Sequence, residues 1–365
     1  MSDYPYRMAL AHLPGWRMEK INNLIAKILD NCGISLAEFF ELEKDDWRDE
    51  FELDEKETED LENAKSELPN YSFLAESLIS GGFDLIPLNS QEYPETLKQN
   101  LKMKYSPSLL YVKGNKQLLH EPSAAIIGAR NASDISLKFT RNIARICVEN
   151  YRVIVSGFAK GVDKTALDAT LEVFGHSIIV LPQGIMTFAS GFRKYYTQVV
   201  EGDVLILSAF HPRAPWNAGL AMARNTYIYG LAETIYVAES NSKGGTWSGA
   251  MNGLRKGRTV YVRSPNPDEV NANNLLILKG AIPVDMNGKP LESEDKKDFE
   301  QDIKNTLLNK SLTAKEIKNI LHLDIGTGKL SNLLSKMDFI ESKKGKSAKV
   351  FYLKDSEQSL GSLFD

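Results

Sequence analysis

Four strand-like runs of this 365-residue chain end on a glycine, and three of those ends carry a cation. The strongest is Lys243-Gly244-Gly245-Thr246, directly ahead of a helical pattern. Its glycines expose backbone N–H groups, Thr246 adds a hydroxyl donor and Lys243 adds charge, which together suit a phosphate. A second end reads Ser156-Gly157-Phe158-Ala159-Lys160-Gly161-Val162-Asp163, with two glycines bracketing a lysine. A third reads Gly128-Ala129-Arg130-Asn131, and Ser133 is placed to cap the helix that follows. A helix start beside a cation is an anion site; the same residues also fit a plain turn with a surface arginine. The fourth end, Leu181-Pro182-Gln183-Gly184, leads into Phe192-Arg193-Lys194-Tyr195-Tyr196. Cations hold phosphates and rings stack on unpaired bases, so that mixture suits single-stranded nucleic acid. It equally fits a half-buried helix with a tyrosine in the core. Arg224-Asn225, late in the helix before the fifth run, is expected at the same edge.

Other chemistries lack their signatures. There is no GxxxxGK[ST] phosphate loop, no GxGxxG after the first run and no GxSxG elbow. The five histidines and two cysteines show no metal-ligand spacing, so neither a metal nor a cofactor is expected. Cys32 and Cys147 read as idle thiols of a reducing cytosol.

The elements that must position these residues are legible as apolar runs. Ala124–Ile127, Val153–Val155, Ser177–Leu181, Val204–Leu207, Thr234–Ala238 and Thr259–Val262 are apolar nearly throughout and alternate with helical stretches. Strands buried on both faces read this way, which predicts a doubly wound, mostly parallel α/β sheet over residues 120–285. Ligands of such sheets bind beyond the carboxyl ends of the strands. Residues 1–70 read as a small helical domain, with Ser35 and Glu38 spaced as a capping box. Residues 71–119 form a bridging segment with a helix over 73–80 and a strand over 83–88. Residues 286–305 are polar and read as a linker. Residues 306–365 carry a helix from Leu312, a turn at Gly326-Thr327-Gly328, a second helix over Lys329–Met337 and a hairpin. That order is the winged-helix layout, and Lys343, Lys344, Lys346 and Lys349 would line its wing for a duplex backbone or a protein contact.

Composition sets the bounds. The chain is 42% apolar and 25% charged, ordinary for a soluble protein of two or three domains. No apolar run reaches the roughly 18 residues of a membrane helix, and no secretion signal is read at the start, so a cytoplasmic protein without membrane contact is expected. The net charge of −4 conceals an asymmetry: residues 38–67 hold 15 acids and 4 bases, a net −11, leaving +7 elsewhere. The acidic helical region is therefore expected to touch DNA weakly or not at all.

At these residues the chain resembles the DNA-processing protein A (DprA/Smf) family from about residue 75 to 285. The likeness rests on Tyr93-Pro94 through Leu97, Leu110–Asn115, Gly128-Ala129-Arg130, Ser156–Asp163, Arg224-Asn225, Val237-Ala238-Glu239, Gly244-Gly245-Thr246 and Gly257-Arg258. It implies a Rossmann-like core between a helical domain (sterile-alpha-motif or helix-hairpin-helix-like) and a winged helix. It also implies single-stranded DNA binding and protection in natural transformation, loading of RecA recombinase, a homodimer, and no catalysis. DNA contacts would fall on Arg130, Lys243–Thr246 and the Phe192–Tyr196 region. Departures occur at Lys164-Thr165-Ala166-Leu167, which lacks the family's usual histidine, and at Phe188-Ala189-Ser190, Ser208-Ala209 and Thr226. They keep two alternatives open: a nucleotide-binding or nucleotide-cleaving enzyme on a similar fold, and a phage-defence paralogue.

Overall fold

The computed structural model describes residues 3–291, 294–323, 325–335, 337–345 and 348–354. The chain starts with helices α1 (Tyr4–Ala11), α2 (Met18–Ala26), α3 (Leu36–Glu41), α4 (Lys44–Phe51), α5 (Glu55–Ser66) and α6 (Leu68–Ser80). Strand β1 (Asp84–Pro87), helix α7 (Glu95–Tyr105) and strand β2 (Leu109–Lys113) follow. Then strands and helices alternate: β3 (Ser123–Gly128), α8 (Asp134–Glu149), β4 (Val153–Ser156), α9 (Val162–Leu171) and β5 (Ser177–Val180). After two short helices, α10 (Ala189–Lys194) and α11 (Tyr196–Glu201), come β6 (Val204–Ser208), α12 (Ala218–Leu231), β7 (Thr234–Glu239), α13 (Gly245–Arg255), β8 (Val260–Arg263), α14 (Asn273–Leu278) and β9 (Ile282–Val284). The chain ends with α15 (Glu294–Leu307), β10 (Leu312–Thr313), α16 (Ala314–Ile320), α17 (Thr327–Leu334), β11 (Ile340–Lys344) and β12 (Lys349–Leu353).

Two compact units emerge. Unit 1 comprises Met1–Ala125, Cys147–Phe158 and Ala166–Glu233, and unit 2 comprises Ile126–Ile146, Ala159–Thr165 and Thr234–Asp365. In unit 1 the helical region closes over Leu10, Ile28, Phe39, Phe40, Trp47 and Leu61. Ser35 caps α3 as its spacing predicts, because Ser35 and Glu38 exchange side-chain and backbone hydrogen bonds. The strands of this unit run in the order β1-β2-β6-β5-β4-β3. Neighbours from β3 to β6 are parallel, with Ile154 opposite Ser177 and Ile178 opposite Leu205. β2 and β1 add antiparallel at the far edge. Every residue of β4, β5 and β6 is buried, as a sheet covered on both faces requires.

Unit 2 adds the parallel set β7-β8-β9. The fold is thus α/β, with a mostly parallel sheet flanked by helices. Its C-terminal part forms a separate three-stranded sheet, β10-β12-β11, behind α16 and α17. The stretch read as a linker is corrected here. From Glu294 it is the helix α15, and Ile303 and Leu307 are fully buried. Few apolar positions mark that helix, so the sequence shows only its polar face. Lys346 lies outside the described residues, while Lys343, Lys344 and Lys349 fall on the β11-β12 hairpin.

Neither cysteine is in a disulfide; burial pushes the Cys147 thiol up to about 12, which leaves it inert at neutral pH. Among the described residues no helix is long and apolar enough to cross a membrane.

Candidate functional site

Unit 2 brings together three of the four glycine-containing ends. Gly128 closes β3, and its carbonyl accepts a hydrogen bond from the Thr246 hydroxyl at 3.0 Å. The Val162 amide donates to the Ala129 carbonyl. Gly161 has φ +85°, and a Cβ there would stand 2.4 Å from the Arg130 carbonyl oxygen. The ends of β3 and β7 and the loop before α9 therefore touch through their backbones. Arg130, Lys160 and Lys243 project from this junction, all exposed. Gly244 and Gly245 lead into α13, an 11-residue helix whose positive end faces the loop.

Gly161→Ala is expected to lower stability by about 2 kcal/mol, because an L side chain at that φ is strained and meets backbone rather than flexible atoms. Thermal denaturation checks this; an unchanged Tm would mean that the two loops are not packed this way.

Two expected phosphate ligands turn out to have other work. The Thr246 hydroxyl is committed to Gly128, so Thr246 ties loops together. The start of α8 is taken by the chain's own carboxylate. Glu239 accepts from the Ser133 amide at 3.0 Å, the Ser133 hydroxyl at 2.6 Å and the Ser136 hydroxyl at 2.8 Å. Ser133 thus donates to Glu239, and the anion site read at that helix start is filled internally. The bare cations, not the α8 terminus, are what this rim offers to solvent.

Behind the rim, Arg263 is 1% exposed and binds the end of β7, the start of α8 and the loop after β8. Its Nε donates to the Ala238 carbonyl, one Nη to the Ser136 hydroxyl and both Nη atoms to Glu269. Burial raises the Glu269 carboxyl, but hydrogen bonds from Arg263 and the Asn266 amide outweigh it and hold the group below the usual range. Asn273 fixes the same corner, donating to the carbonyls of Ala238 and Arg263.

The remaining candidates lie in unit 1 and separate into support and surface. Arg224 is buried, donates to the Val180 carbonyl at 3.0 Å and occupies the space above Gly157. A Cβ on Gly157 would stand 1.5 Å from its Nη1. Arg224 is therefore a support of the β4 and β5 ends rather than an exposed phosphate ligand. Ser156 and Gly157 are buried with it, and Asn225 is half-buried in α12. Phe158 holds a left-handed φ of +61°, with its ring edge-on to Phe188 and Tyr195 at 5.2 and 5.6 Å. Phe192 packs on Phe83 and Phe188 at 5.6 and 5.8 Å, and Tyr195 is buried. Of the three rings expected to stack on bases, only Tyr196 is open, at 66% exposure. Arg193 and Lys194 are exposed as expected.

The sequence reading missed one further surface of this kind. The loop after β6 exposes Arg213 and Trp216, with His211 and Pro212 carbonyls buttressed by Ala214 and Met186 amides. A tryptophan between Pro215 and Asn217, outside any apolar run, was the available signal.

A family model described as DNA recombination-mediator protein A matches residues 84–293. DNA processing protein DprA of Streptococcus pneumoniae is 33% identical over 156 residues, covering 43% of this chain and 55% of that protein. Protein Smf of Escherichia coli is 31% identical over 204 residues, covering 55% of this chain and 54% of that protein. The chain therefore spans little more than half the length of these curated relatives. The crystal structure of DNA processing protein A from Streptococcus pneumoniae superposes with a TM-score of 0.62 at 24% identity, over 82% of this chain and 98% of that one. That likeness establishes the Rossmann-like fold.

Proposed function

The chain belongs to the DNA recombination-mediator protein A family, and from that premise we propose that it binds single-stranded DNA along the Arg130, Lys160 and Lys243 rim. The convergence of three cation-bearing loops in unit 2 carries this reading. An open rim of point charges within unit 2 suits a chain of phosphates. The role is to hold and protect incoming strands in the cytoplasm during natural transformation, without catalysis, and to pass them to RecA recombinase. A homodimer would present two such rims to one strand and raise its avidity.

Titration of an oligonucleotide and its duplex tests the reading at two salt concentrations. Three cations that neutralise three phosphates give a log–log salt slope of about −2 on single strands. Raising salt from about 50 to about 200 mM should then weaken binding roughly 20-fold. Binding that ignores salt, or that favours the duplex, would refute the assignment.

A further inference from the structure

Unit 2 holds a cavity of about 200 Å³ directly beside the Lys243–Thr246 loop. Ser242 and Trp247, the residues on either side of Lys-Gly-Gly-Thr, both line it. Lys279 enters from the end of α14, and Lys329 and Asn332 enter from α17. Leu275, Ile325 and Leu333 complete its lining. Two observations fix this geometry. The Lys329 ammonium donates to the Ser242 carbonyl at 3.0 Å. Leu275 of α14 shares one apolar cluster with Ile317, Ile325 and Leu330 of the C-terminal part, and Trp247 packs against that cluster. Helix α17 is thereby seated on the loop, with its Lys329, Asn332 and Leu333 turned toward the cavity.

We propose that this cavity receives one nucleobase of the bound strand, so that the C-terminal helices complete the single-strand site. The proposal rests on the strand-binding reading above and adds the place where a base goes. A nucleotide whose phosphate lies on Gly244 and Gly245 has the cavity next to it at both ends of the loop. The Trp247 ring supplies a stacking face, and stacking tolerates any base. The Asn332 amide both donates and accepts, so it meets the edge of any base as well. Lys279 and Lys329 put two cations into the lining, where they suit the adjoining phosphodiesters. The volume is below the roughly 300 Å³ of a drug-sized site, which suits an occupant as small as a single base. Where the sequence reading gave the wing lysines to a duplex backbone or a protein contact, this seating gives the Lys329–Leu333 face of α17 to the single strand.

The test compares an oligothymidine with the same oligomer in which the bases are replaced by abasic sites. Trp247→Ala should weaken the oligothymidine roughly tenfold, and Asn332→Ala about fivefold. Both variants should bind the abasic oligomer as the unchanged protein does, which also shows that they remain folded. An oligomer carrying 5-iododeoxyuridine should photocrosslink to Trp247. The cavity is not the base site if both variants bind oligothymidine normally, if they lose both oligomers alike, or if the crosslink maps only elsewhere. Lys243→Ala separates the two levels, since it should weaken both oligomers together. If it weakens neither, the strand-binding reading itself fails.

Discussion

Arg263→Ala is expected to destabilise the protein by about 3 kcal/mol, the largest stability loss foreseen for any single substitution here. The guanidinium is 1% exposed and the Glu269 carboxylate it pairs with is 14% exposed. Removing the cation leaves that carboxylate largely buried with a diminished set of donors. A buried pair broken on one side costs about 3–5 kcal/mol. The lower end applies because the Asn266 amide and the Asn271 side chain still donate to Glu269. Chemical denaturation at neutral pH measures the loss, and a change below about 1 kcal/mol would contradict the burial. The pH profile gives a second, independent sign. Glu269 titrates below its ordinary range when folded, so its contribution is present above the unfolded carboxyl pKa. That contribution disappears as pH falls through the lower, folded value. The unchanged protein should show this acid-side loss, and the Arg263 variant should show less of it.

Such a pair could not be seen in the sequence, and the reason separates what was legible from what was not. Signals contained within a few residues survived into the structure. The Ser35-Glu38 spacing is a capping box, and the runs beginning at Val153, Ser177, Val204 and Thr234 start four strands at those same residues. The runs were legible because burial on both faces demands continuous apolar sequence. Short β9 and the polar α15 offered no such run. Side-chain commitments across the chain were also hidden. Thr246 looked like a phosphate donor until the Gly128 carbonyl, 118 residues away, accepted its hydrogen bond. Arg224 looked exposed until Val180 and Gly157 enclosed it. Phe192 looked like a stacking ring until Phe83 met it. In each case the residue type was right for two roles, and only tertiary packing chose between them.

What packing left on the surface is the cation set, and it sets the largest expected effect on binding. The double variant Arg130→Ala, Lys243→Ala should weaken single-stranded DNA binding roughly 100-fold at low salt. Each charge-assisted contact contributes about 1.5 kcal/mol, and together they reach about 3 kcal/mol. Neither side chain is buried, and neither is part of the Arg263, Glu269 and Glu239 network behind the rim, so folding should be untouched. The salt slope should become shallower by about 1.4, from two phosphates no longer neutralised. Lys243→Arg keeps the charge and should restore most of the affinity, whereas Arg130→Lys should restore less if Arg130 grips a phosphate through two donors. Affinity and slope must fall together. A double variant that loses affinity at an unchanged slope would have lost shape rather than phosphate contacts, and the rim would not be where the strand lies.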